Sequence, residues 1–76
     1  MTSSKRVMRR FGKTLAAIRQ LKGLSQAELA QKAKLAPTWI SQLETGKRLP
    51  SFITLQKLVG ALDVDASVLV ELGEGR

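Results

Sequence analysis

A chain of 76 residues supplies one small domain, and such a domain buries only about 60% of the surface its unfolded form exposes, so its core has to be economical. It has neither cysteine nor histidine, which removes disulfides, thiolate zinc sites and the commonest catalytic base; with six scattered carboxylates, neither an enzyme nor a metal or cofactor site is expected. The formal charge of +7 is uneven: residues 1–48 carry eleven Lys and Arg against two Glu, a balance that suits a polyanion but also describes a solvated basic surface. No apolar run approaches the roughly 20 residues of a membrane span, so a cytoplasmic protein with no membrane contact is expected.

In chain order, residues 1–7 read as a flexible basic arm. Phe11, Leu15 and Ile18 fall at i, i+4 and i+7, with Leu21 extending the stripe and Gly23 closing it, which predicts a first helix over roughly residues 8–22. The run "SQAE" is a capping box in which Ser25 and Glu28 bond each other's backbone N–H, so a second helix starts at Gln26 and turns Leu29, Ala30 and Ala33 inward. Pro37 suits the first turn of a third helix, where its missing N–H costs nothing; Ala36, Ile40 and Leu43 form its inward stripe and Gly46 ends it. Ser51 caps a fourth helix from Phe52 to about Leu62, with Leu55, Leu58, Val59 and Leu62 inward. Asp65 caps a short fifth with Leu69 and Leu72 inward. Ile53, Val68 and Val70 lie off these stripes and are either a dimer contact or ordinary exposed apolar residues. The expected fold is all-α, one five-helix domain over residues 8–73 with a tail at 74–76.

Helices two and three are separated by only three or four residues, which forces a sharp crossing and lets the third project from the body. Its outward residues, Thr38, Ser41, Gln42 and Thr45, are short, uncharged and hydrogen-bonding. A solvated polar surface is the plain alternative, but Gln can bond adenine bidentately and Ser or Thr can bond or pack against base edges, so direct readout is assigned first to Thr38 and Gln42. Gln26 at the start of helix two, and Lys47 and Arg48 beyond Gly46, are suited to phosphate, although the two cations also complement the dipole of helix three. Lys5, Arg6, Arg9, Arg10 and Lys13 would follow a DNA backbone, enter a minor groove, or remain solvated. Arg19 and Glu44 each flank an apolar stripe and invite pairing, because a partly buried charge without a partner is costly.

From Phe11 to Leu72 the chain resembles the Cro/C1-type (XRE-like) helix-turn-helix family of phage repressors and restriction-modification controller proteins. "LSQAELAQKA", "ISQLETGKRLPS" and "LQKLVGALDV" carry the resemblance, in the family's order and spacing. It implies a compact five-helix, lambda-repressor-like domain and a transcriptional regulator that binds a palindromic double-stranded DNA operator as a homodimer. By the same resemblance residues 37–45 are the recognition helix, Pro37, Thr38 and Gln42 take reading positions, Gln26 contacts phosphate, and Lys47 and Arg48 lie in a backbone-contacting loop. Arg19 and Glu44 match a structural ion pair of the family. Trp39 stands where relatives often carry an aromatic, which implies an indole on the core edge with its N–H toward the DNA backbone; Thr45, far from the start of the helix, is also assigned to the DNA backbone. Two departures stand out. Lys34 replaces a usual glycine, at a strain of about 1 kcal/mol, and Ala36 replaces the usual Ser or Thr cap. No effector pocket or small-molecule ligand is legible. A reading from another class is an antitoxin-like interaction module that binds a toxin through Ile53, Val68 and Val70 and uses DNA only to autoregulate.

Overall fold

Residues 4–65 and 67 are described by the structure, a computed structural model, and form four helices with no strand among the described residues: α1 (Ser4–Leu21), α2 (Gln26–Ala33), α3 (Pro37–Glu44) and α4 (Phe52–Leu62). Of the expected fifth helix only Asp65 and Ser67 are described; its inward Leu69 and Leu72 and the dimer candidates Val68 and Val70 fall outside the described residues. No described helix is long and apolar enough to cross a membrane.

Helix α1 begins four residues ahead of its expected start, so Lys5 and Arg6 stand on a helix and not in a loose arm. The physical reason is local. Residues 4–10 contain no glycine or proline, Lys and Arg are good helix formers, and half-buried Val7 and Met8 continue the inward face toward Phe11. The other end also needs correction: Leu21 is 85% exposed, not inward, because α1 stops there and Leu24 turns back against the core in its place.

Helix α2 starts at the expected capping box, with Glu28 N–H donating to Ser25 Oγ at 3.0 Å and Ser25 N–H to Glu28 Oε1 at 2.8 Å. It stops at Lys34, whose φ of 59° is the left-handed conformation that a glycine would take without strain. Helix α3 has Pro37 in its first turn and no side-chain cap; Ala36 is the exposed N-cap residue, so the expected inward stripe reduces to Ile40 and Leu43. In α4 the Ser51 hydroxyl accepts from Thr54 N–H at 3.1 Å and donates to Thr54 Oγ1 at 3.0 Å, which satisfies a threonine that is itself buried. The buried ridge is therefore Thr54, Leu58 and Leu62, with Leu55 and Val59 half-buried beside it.

Phe11, Leu15, Leu29, Ala30, Ala33, Ile40, Leu43, Leu58 and Leu62 form one core drawn from all four helices. Helix α2 packs on both α3 and α4, and α1 packs on α3. The last contact is a backbone contact: a Cβ added at Gly12 would lie 2.5 Å from the Leu43 carbonyl oxygen, closer than any side chain allows. Glycine at position 12 thus lets α1 touch the last turn of α3, and this approach sets the projecting helix on the body.

Candidate nucleic-acid interface

Three helices meet at one carboxylate. Arg19 Nε on α1 donates to Glu44 Oε2 on α3 at 2.6 Å, Arg19 Nη2 donates to Glu44 Oε1 at 3.1 Å, and Arg19 Nη1 donates to the Leu24 carbonyl at 2.8 Å. With side-chain exposures of 11% and 6%, the two charges are largely withdrawn from water, where a planar bidentate pairing is needed to offset desolvation. The hydrogen bond to Glu44 holds Arg19 above its ordinary range against the opposing effect of burial, so the arginine stays charged at any physiological pH. Gln26 Nε2, at the start of α2, completes the cluster by donating to Glu44 Oε1 at 2.8 Å. One amide N–H of Gln26 is thereby committed inside the protein, and one remains for an outside acceptor such as phosphate. Residue type alone does not reveal that Gln26 is tied to α3.

Along the outer side of α3, Pro37 and Thr38 are exposed and Ser41 and Gln42 are half-exposed, so the expected reading residues are all accessible and uncharged, three of them with polar side chains. Thr45 is different. Its hydroxyl donates to the Ser41 carbonyl at 2.9 Å, which leaves it only acceptor capacity, and a phosphate has nothing to donate. The expected DNA-backbone contact from Thr45 would require this hydroxyl to rotate away.

Beyond α3 the chain reverses at Gly46, with φ 77°, while Lys47 N–H donates to the Gln42 carbonyl at 2.9 Å. This reversal lays Arg48 back along the ridge formed by Trp39 and Gln42, which are three residues apart and share a helix face. The Arg48 guanidinium carbon sits 4.5 Å from the centre of the Trp39 ring, a cation–π contact worth about 0.5–1 kcal/mol at an exposed site. Its Nε donates to Gln42 Oε1 at 2.8 Å. Trp39 is half-buried, as a core-edge residue should be, but its ring face is used by Arg48. Lys47, by contrast, is exposed. Sequence spacing treated Lys47 and Arg48 as equivalent, and only the Gly46 turn distinguishes them.

A second charged region lies on α1. Lys5, Arg6, Arg9, Arg10 and Lys13 line one open depression, their spacing of three and four residues placing them on a common helix face. A Cβ on Gly46 would come within 2.9 Å of Arg9 Cγ, so the turn that carries Lys47 abuts this face. On α4, Phe52 and Ile53 are 73% and 64% exposed, and Leu49 ahead of it is 58% exposed. Phe52 also lines an apolar cleft with Leu55, Gln56, Val59 and Gly60.

Comparison with known proteins places this geometry. The family model described as "Helix-turn-helix" matches residues 15–69. Over 59 residues the chain is 36% identical to the immunity repressor protein of Bacillus phage phi105, covering 78% of this chain and 41% of the repressor. Over 59 residues it is 39% identical to the uncharacterized HTH-type transcriptional regulator y4dJ of Sinorhizobium fredii, covering 78% of this chain and 77% of that protein. The match therefore spans less than half of the phage repressor but most of y4dJ. Among solved structures, the restriction-modification controller protein C.AhdI of Aeromonas hydrophila superposes with a TM-score of 0.80 at 35% identity, covering 82% of this chain and 94% of that one. These relatives are regulators and not enzymes.

Proposed function

We propose that this chain, which belongs to the helix-turn-helix family of transcriptional regulators, binds a palindromic double-stranded DNA operator as a homodimer and reads it with α3. The observation that carries the reading is the pairing of two surfaces. An uncharged side of α3 leads into the Gly46 turn, and that turn abuts the cationic face of α1, a combination that supplies both base readout and phosphate positioning. Pro37, Thr38, Ser41 and Gln42 are the proposed readers. Gln26 and Lys47 are proposed to hold phosphates, joined by the indole N–H of Trp39, and Lys5, Arg6, Arg9 and Arg10 would follow the backbone from α1. Half-sites would then lie about one helical turn, ~34 Å, apart.

Exposed Phe52, Ile53 and Leu49 support a contact between two copies through α4, because large apolar groups rarely cluster on a surface without a partner. Selection of bound duplexes from a random pool, followed by affinity against salt and sizing of the free protein, tests the whole reading. A palindromic consensus and a concentration-stable dimer are expected. Recovery of random sequence would refute specific binding, and a monomer that co-purifies with another chain would favour the antitoxin-like alternative.

A further inference from the structure

We infer that Arg48 is a positioning residue for base recognition, holding Gln42 in one of its two amide orientations, and is not primarily a phosphate clamp. The inference rests on the reading of Gln42 as a base contact. A glutamine amide presents an acceptor and a donor that exchange places when the group flips, and the two orientations match different base edges. An unrestrained Gln would sample both and would lose that freedom on binding. Here the ambiguity is removed chemically. Arginine carries donors and no acceptor, so the atom that faces Arg48 Nε at 2.8 Å has to be the Gln42 oxygen. The amide nitrogen then takes the opposite branch of the carboxamide. A partner meeting that branch supplies an acceptor: purine N7, guanine O6 or thymine O4, and not the N4 donor of cytosine.

The restraint is itself restrained. The Arg48 guanidinium lies over the Trp39 ring, and the Gly46 turn directs Arg48 back along α3, so residues 39, 42, 46 and 48 act as one latch. Nε, the donor on the arginine stem, is the one used for Gln42, and a lysine, whose donors all sit on one terminal ammonium, cannot both make this bond and keep its charge over the indole.

The test uses the full chain with the selected duplex and with duplexes altered at the base pair that Gln42→Ala relaxes. Melting curves first establish that each variant is folded. Arg48→Lys keeps the charge, and is expected to lower discrimination at that one base pair by about tenfold. Trp39→Leu, which removes the ring beneath Arg48, should lower it in the same direction. Combining Arg48→Lys with Gln42→Ala should cost no more discrimination than Gln42→Ala alone, because the two act through one contact. Additive losses, or full discrimination in Arg48→Lys beside a relaxed Gln42→Ala, would overturn the latch while leaving specific DNA binding intact. Equal binding of every duplex by the wild-type chain would overturn the DNA reading and the latch with it.

Discussion

The outer side of α3 and the cationic face of α1 are both polar, yet they are built for opposite kinds of contact. On α3 the outer side chains are uncharged and Gln42 is held by its bond to Arg48, while the last turn is tied through Glu44 to two other helices. On α1, Lys5, Arg6, Arg9, Arg10 and Lys13 have long side chains that make no side-chain hydrogen bond or ion pair among the described residues. Like charges at i, i+4 cost an isolated helix about 0.2–0.5 kcal/mol per pair, a cost that a polyanion would relieve. Discrimination between bases needs donors and acceptors ordered before the encounter, whereas phosphate attraction needs only charge within reach.

The harshest way to break this comparison is at Gly12, where the two regions are joined. Gly12→Ala places a methyl group against the Leu43 and Glu44 backbone, and should cost about 3 kcal/mol or more of folding stability, measured by denaturant unfolding. Glu44→Ala follows closely. It leaves Arg19 without its carboxylate and releases Gln26, so a loss of about 3 kcal/mol is expected, and unchanged stability would show that the cluster contributes nothing net.

Replacing Lys5, Arg6, Arg9 and Arg10 with Gln isolates the α1 face. Affinity should fall for every duplex, and the slope of log affinity against log salt should shrink by about 3 to 4 per subunit with base preference retained. Gln42→Ala should do the reverse, relaxing one or two base pairs by about 1–3 kcal/mol with the salt slope kept. If both sets lose affinity uniformly, the division between reader and positioner is wrong. The smallest effect is expected at Lys34, outside both regions: Lys34→Gly removes left-handed strain and should gain about 0.5–1 kcal/mol after the added chain entropy, with DNA binding unaltered.

Much of the scaffold is legible in local pattern. Ser25 with Glu28, Pro37, and Ser51 mark helix starts through bonds that span only three residues, and the i, i+3, i+4 spacing of Leu29, Ala30, Ala33, Leu58 and Leu62 finds the core. Leu21 misleads because a stripe carries no information about where its helix loses neighbours. Residues 4–7 mislead because a charged run reads as an arm, although nothing in it opposes a helix. Gly12 does carry a signal in the sequence, because a glycine inside a helical pattern is costly and usually has a packing reason, here the approach to α3.

The sequence by itself determined the helical periods, the caps, the polar side of α3 and the excess of positive charge, since each follows from residues within a turn or two of one another. Only the tertiary structure decided which of those polar groups are free. Arg19 and Gln26 reach Glu44 across 25 and 18 residues of chain, and Arg48 reaches Gln42 only because the Gly46 turn brings it back. Such partners are set by how helices cross and chains reverse, a geometry that residue type and local spacing do not encode.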